Sequence, residues 1–440
     1  MSAPDALREQ LDRKLADTQA DERMPSASAA VFRGDELLWQ QALGLADVDG
    51  GQDATAETQY RIGSITKTFT AVGVLQLRDA GELSLDEPLT TYLPESAHGP
   101  TIGRMLAHSS GLQREPPGEI WETMQAPSRE DLLAGTADAE QVLPPGSWWH
   151  YSNLAFALLG EVVARAHGGT WEEALQERIL GPLGLERTTP EAADPAARGY
   201  FVEPYSDAVR LEPELDLGGA GALGKLWSTT GDLARWGAFL AAGEERVLKA
   251  STLEEMSHAR VMVDHAGWTL AWGTGLELYR RGEHLFVGHG GAMPGHLAGL
   301  VVDRKTKIGA AALTNTGAGA SPEKLALDLA AAAIAALPAA KDAWQPGETA
   351  PPELEPLLGP WWTEGHQIVL SWRRGRLEAK LLDGAPGRDT SVFEPEGPDR
   401  FRSVEGRERG ELLRVVRDEA GAVEKLYFAT YPLRREPSTF

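Results

Sequence analysis

The chain has 440 residues, 42% of them hydrophobic and 24% charged, with a formal net charge of −23 and no cysteine. This length exceeds one ordinary core and predicts a large and a small domain. The acidic surface disfavours nucleic acid and anionic membranes as partners, and the lack of cysteine excludes disulfides, thiolate nucleophiles and Cys-based metal sites.

The N-terminus has neither a basic start nor an apolar run and so does not read as a signal peptide. The most apolar stretch, residues 325–337, is mostly alanine and too short to span a bilayer. A cytoplasmic location is therefore expected. Residues 5–20 predict an amphipathic helix, with Leu7, Leu11 and Leu15 four apart. Two strand-like runs, 26–32 and 36–43, flank Arg33-Gly34-Asp35 and predict a hairpin. A helix is expected over 64–78, stopped by Asp79-Ala80-Gly81. Residues 85–245 alternate short helices with Pro- and Gly-rich loops. Strand signals return at 270–279, 284–288, 296–303 and 307–313, the last two forming a hairpin, and a helix over 322–337 follows. Strands at both ends with helices between them predict an α/β (α+β) domain whose antiparallel sheet joins N- and C-terminal segments. Its expected extent is 1–338. Residues 339–353, with three prolines, read as a linker. Residues 354–440 carry short alternating strands at 367–372, 377–382, 399–403, 411–417 and 425–431, and predict a small β-barrel or sandwich.

Ser64-Ile65-Thr66-Lys67 is a Ser-x-x-Lys at a helix start. Positions i and i+3 share a helix face, which brings the Lys67 nitrogen beside the Ser64 oxygen. The helix N-terminus adds positive potential and free N–H groups for an oxyanion, and a serine hydroxyl needs a neighbouring base before it attacks. The spacing is not unique: Ser321-Pro322-Glu323-Lys324 repeats it and reads as a helix N-cap with proline at the first helical position. Tyr151-Ser152-Asn153 lies in a turn before an apolar helix. A tyrosine beside an ammonium can ionise more easily and act as a base, and Asn153 can offer its amide to a substrate carbonyl. The plainer reading packs Tyr151 against Trp148 and Trp149 with Asn153 as N-cap. His289-Gly290-Gly291 joins two strand runs; its glycines would let a substrate backbone approach, and His289 would bind substrate or assist proton transfer. His167-Gly168-Gly169 reads as a helix C-cap.

The order Ser-x-x-Lys, Tyr-x-Asn, His-x-Gly resembles the serine β-lactamase/penicillin-binding-protein superfamily, in particular class C β-lactamases and related D-peptidases and esterases. Tyr60-Arg61-Ile62-Gly63-Ser64, Leu106-Ala107-His108-Ser109-Ser110-Gly111-Leu112 and Trp227-Ser228-Thr229-Thr230-Gly231-Asp232-Leu233-Ala234 are similar as well. The resemblance covers about residues 5–338. It implies Ser64 as nucleophile, Lys67 and Tyr151 as its proton-handling partners, Asn153 as substrate contact, and the backbone N–H groups of Ser64 and Ala292 as oxyanion hole. One departure is that His-Gly-Gly stands where β-lactamases and most transpeptidases carry Lys-Thr-Gly, which removes a cation for a substrate carboxylate and argues against efficient β-lactam hydrolysis. The His-x-Gly form is similar to D-aminopeptidases, D-stereospecific esterases and penicillin-binding-protein-type thioesterases. The last group releases and cyclises nonribosomal peptides, and it resembles this chain in pairing one catalytic domain with a lipocalin-like β domain. Arg434 and Arg435 are candidates to bind a substrate carboxylate, with plain surface charge as the alternative.

The resemblance implies a peptide-like substrate, either presented as a thioester on a carrier protein and cyclised, or cleaved by a stand-alone D-peptidase or esterase. Two rivals come from other classes. Gly219-Ala220-Gly221-Ala222-Leu223-Gly224-Lys225-Leu226 nearly matches a nucleotide-binding P-loop, but Leu226 cannot hold magnesium. A catalytically silent binding or sensing module would share the fold. No metal site or cofactor is expected, because His-Glu-x-x-His is absent and the ten histidines are scattered.

Overall fold

A computed structural model of the protein describes residues 4–337, 344–382 and 390–437. Its contacts divide the chain into two units, Met1–Ala339 and Ala340–Phe440. Of the linker expected over 339–353, residues 339–343 lie outside the described residues, and 344–350 carry neither helix nor strand.

The first unit opens with α1 (Asp5–Asp21), which buries Leu7, Leu11 and Leu15. Strands β1 (Ser26–Arg33) and β2 (Glu36–Asp47) form the expected hairpin, and β3 (Gln52–Asp53) pairs with the end of β2. Helix α2 (Thr66–Asp79) follows a 3₁₀ turn over Gly63–Ile65, so Ser64 sits in that tighter turn and not in the α-helix proper. Helices α3 (Asn153–His167) and α4 (Thr230–Ala242) come from the middle of the chain. The C-terminal strands are β4 (Val261–Met262), β5 (Leu270–Trp272), β6 (Glu277–Arg281), β7 (His284–Met293), β8 (His296–Asp303) and β9 (Ile308–Thr314), and α5 (Pro322–Ala336) closes the unit.

These strands form one nine-stranded antiparallel sheet in the order β3-β2-β1-β9-β8-β7-β6-β5-β4, so the N-terminal hairpin joins the sheet beside β9. Side-chain alternation decides which face each residue serves. Leu300, Val302, Ala311 and Leu313 pack on the α2, α3 and α4 side. Val301, Ile308, Ala310 and Ala312 pack with α1 and α5. Both faces of the central strands are therefore covered. The run expected as one strand over 270–279 is two, because the chain turns at 273–276 with Gly275 at a φ of +76°. Strand β7 also runs further than expected, through His289-Gly290-Gly291 to Met293.

The second unit is an eight-stranded antiparallel meander: β10 (Gly359–Thr363), β11 (His366–Arg373), β12 (Arg376–Leu381), β13 (Ser391–Gly397), β14 (Arg400–Glu405), β15 (Leu412–Arg417), β16 (Val423–Phe428) and β17 (Tyr431–Leu433). Reciprocal backbone hydrogen bonds between Trp362 and Arg434, 2.7 and 3.0 Å long, close it on itself around Trp361, Leu370, Leu377, Phe393 and Leu426. Such closure removes exposed sheet edges. Arg435 serves this barrel directly. Its guanidinium donates to the carbonyls of Pro356, Leu358 and Pro360 and lies 3.9 Å over the Trp361 ring. That engagement leaves few donors for a substrate carboxylate. The Arg434 side chain has no such partner among the described residues.

Candidate active site

Ser64 is placed by backbone contact. Gly63 takes a φ of +49°, and a Cβ there would stand 2.6 Å from the Ala292 nitrogen, so the turn before α2 lies directly against β7. Only glycine permits both. This juxtaposition brings the Ala292 N–H beside the turn that carries Ser64, the arrangement an oxyanion hole requires.

Lys67, one turn on, has no exposed surface. Its Nζ donates to Ser64 Oγ at 3.0 Å and to the Leu223 carbonyl at 2.6 Å. The rings of Tyr151 and Phe156 lie 5.1 and 5.8 Å from it. Burial lowers the Lys67 pKa to about 7, with Glu115 and Glu277 opposing the shift and Arg114 adding to it. A buried amine of this kind is part neutral at neutral pH and can take a proton from Ser64. Leu223 ends the 3₁₀ helix Gly218–Leu223, within the run that resembles a P-loop; the run serves here as a lysine cradle.

Tyr151 departs from the expected easy ionisation. Burial pushes its phenol well above the ordinary tyrosine range, although the hydrogen bond with Ser64 acts the other way. With its phenol raised in this way, Tyr151 stands beside Ser64 as a hydroxyl that can both accept and donate a proton. Its ring stacks on His108 at 4.2 Å, and His108 Nδ1 accepts the Ser152 N–H at 3.0 Å. Trp272 meets the Tyr151 ring edge-on at 5.6 Å. His108, part of the Leu106–Leu112 run that resembles the family but with no role read from sequence, is held neutral by burial and by Lys67.

Ser152, not Asn153, caps α3 through its hydroxyl. Asn153 Nδ2 donates to both Glu115 oxygens at 2.8 and 3.0 Å, while Oδ1 is buried without a partner. Asn153 therefore lines the cleft with its amide nitrogen already engaged by Glu115. His289 is 2% exposed and neutral, its pKa lowered to about 3 by burial and then by Lys67. Its Nδ1 faces the Gly290 carbonyl, which leaves Nε2 as the free atom.

Gly290 and Gly291 line the cleft, but protein already occupies the space beside each. A Cβ on Gly290 would lie 2.2 Å from Glu323 Oε2, and one on Gly291 2.0 Å from the Ile62 carbonyl oxygen. Backbone packing accounts for Gly291, whereas beside Gly290 the neighbour is the tip of a flexible side chain. The cleft measures about 530 Å³ and joins Ser64, Tyr151, Asn153, His289 and Ala292 to three carboxyl groups, Glu115, Glu277 and Glu323. The second Ser-x-x-Lys meets its rim: Ser321 makes no side-chain cap, and Lys324 pairs with Asp328 at 2.9 Å. Ser64, Lys67, Tyr151, Asn153, His289 and Ala292 are thus gathered in one place.

The family model Beta-lactamase matches residues 11–335, and Domain of unknown function (DUF7586) matches 350–435. Penicillin-binding protein 4 of Amycolatopsis lactamdurans is 32% identical over 327 residues, covering 69% of this chain and 84% of that protein. The chain spans 58% and 55% of the length of two other curated relatives, the latter Esterase EstB of Burkholderia gladioli. Among solved structures, a D-stereospecific amidohydrolase from Streptomyces sp. is 26% identical with a TM-score of 0.63, over 73% of this chain and 97% of that one. SurE with D-Leu is 26% identical with a TM-score of 0.61, over 98% of this chain and 100% of that one. Among the described residues no helix is long and apolar enough to cross a membrane.

Proposed function

Because this chain belongs to the β-lactamase family, we propose that it is a serine hydrolase of amide and ester carbonyls acting through an acyl-Ser64 intermediate. The observation that carries this reading is the buried Lys67 amine 3.0 Å from Ser64 Oγ, its pKa lowered to about 7. In the first half-reaction Lys67 takes the Ser64 proton, Oγ bonds to the carbonyl carbon, and the N–H groups of Ser64 and Ala292 hold the oxyanion. The bond to the leaving alcohol, amine or thiol then breaks as the proton passes to it through Tyr151. In the second half-reaction water or an amine attacks the acyl carbon, gives its proton to the same relay, and Ser64 is restored.

The substrate side of the reading is a peptide-like carbonyl with a D-configured residue. Similarity to a D-stereospecific amidohydrolase and to a structure solved with D-Leu supports it. Neutral His289 offers no cation to a carboxylate, which argues for poor β-lactam turnover. A second reading assigns the acyl group to an internal amine, so that a carrier-bound thioester is released as a macrocycle. The barrel unit, which the resemblance to penicillin-binding-protein-type thioesterases also implies, favours it. A D-residue peptide thioester with a free N-terminal amine tests both readings by mass spectrometry. Hydrolysed acid alone supports the peptidase or esterase reading, a product one water lighter than that acid supports cyclisation, and no turnover of this thioester or its ester counterpart rejects both.

A further inference from the structure

Strand β6 pairs with β7 only as far as Glu277 opposite Gly288. Past that point the Gly290 N–H emerges where β6 no longer supplies a carbonyl, and a half-buried edge N–H is best paired with an acceptor. The Glu277 side chain supplies it, with Oε2 accepting the Gly290 N–H at 3.1 Å. One carboxylate thus adds a rung to a ladder that has run out of backbone.

The carboxylate is itself braced. The Tyr279 hydroxyl, two residues along β6, donates to the same Oε2, and it also bonds Glu323 from the first turn of α5. Glu323 fills the space beside Gly290 that a side chain would otherwise take. Every element packed here presents a polar group: Lys67 from α2, Tyr279 from β6, the Gly290 N–H from β7, and Glu323 from α5 with Arg281 acting on it. Burial raises both carboxyl pKa values, Glu323 to about 7, with the neighbouring Glu277 as the next cause for Glu323.

The segment held this way is the one catalysis depends on. Gly290 and Gly291 have no side chains to anchor β7, yet the strand carries His289 before them and the Ala292 N–H after them. We propose that Glu277 is a positioning residue, its carboxyl oxygen standing in for a strand partner at Gly290 and fixing the β7 edge that presents Ala292 to Ser64. This rests on Ser64 being the nucleophile.

The test is the rate at which a fluorophosphonate labels Ser64 in the full chain, followed by intact mass and needing no knowledge of the natural substrate. Glu277→Ala removes the acceptor and is expected to label at least about tenfold more slowly, the scale of a small misplacement at a reacting centre. Glu277→Gln keeps a carbonyl oxygen in place and is expected to recover to within about threefold of wild type. If wild type labels and Glu277→Ala labels as fast, the proposal fails while the serine reading stands. If Glu277→Gln is as slow as Glu277→Ala, the acceptor role is overturned. Wild type that does not label at all rejects the serine reading and this proposal with it. Should Glu277→Ala not fold, Tyr279→Phe carries the test: it unbraces the same carboxyl, and labelling unchanged from wild type overturns the proposal.

Discussion

Lys67 Nζ lies 3.0 Å from Ser64 Oγ at a position with no exposed surface, and it holds the Leu223 carbonyl on its other side. Burial lowers its pKa to about 7, and the base is the neutral form. The kcat/KM for an activated ester should therefore rise with pH through about 7 and level off above it. Lys67→Arg, whose guanidinium stays protonated throughout, should lose the activity across the range. A pH–rate profile of both proteins checks this; a flat wild-type profile between pH 6 and 8 would place the base elsewhere.

In the proposed mechanism Tyr151 and Lys67 act on one proton. Tyr151→Phe and Lys67→Ala should each lower kcat by about a hundredfold or more, and the double variant should be little worse than the poorer single. Steady-state kinetics on one ester measures all four proteins. Losses that multiply would make Tyr151 a packing residue for His108 and Trp272 rather than a relay.

The two glycines of β7 should respond differently to alanine. At Gly291 the new methyl meets the Ile62 carbonyl, which is backbone and cannot move aside; at Gly290 it meets the tip of the flexible Glu323 side chain. Gly291→Ala should cost about 2–3 kcal/mol of stability in the catalytic unit, and Gly290→Ala roughly 1 kcal/mol or less. Calorimetric melting of the full chain compares them, and equal losses would contradict the packing account.

The paired arginines should separate. Arg435→Ala removes three carbonyl contacts and a ring stack, so it should lower the melting temperature of the barrel unit without changing the ratio of rates on acid and amide forms of one substrate. If Arg434 meets a substrate carboxylate, Arg434→Ala should slow the acid form by roughly tenfold or more and leave the amide form and the melting nearly unchanged. Equal losses on both forms would return Arg434 to surface charge.

What the sequence revealed was what lies close along the chain. The spacing of Leu7, Leu11 and Leu15 reports one face of α1, and Ser64 to Lys67 is a single helical step. Glu277 carries no comparable signal, and Glu323 and His108 stand within motif runs without a role of their own. Their roles appear only when β6 and α5 bring Glu277 and Glu323 to the cleft, and the segment after 102–106 packs His108 against Tyr151. Electrostatics was also hidden, since the shifts of Lys67 and Tyr151 arise from burial that only the folded unit creates. In the barrel, β10 escaped notice because it begins Gly359-Pro360, and β13 because Pro395 interrupts its alternation, where the strand is in fact bulged.

Ser64 is the claim on which the account stands. Wild type and Ser64→Ala, each mixed with an activated ester and quenched early, are to be compared by intact mass and peptide mapping. The expected result is one acyl adduct on Ser64 in wild type, none in Ser64→Ala, and no turnover by that folded variant. An adduct that persists in Ser64→Ala or maps to Ser321, or turnover undiminished by the substitution, would contradict it.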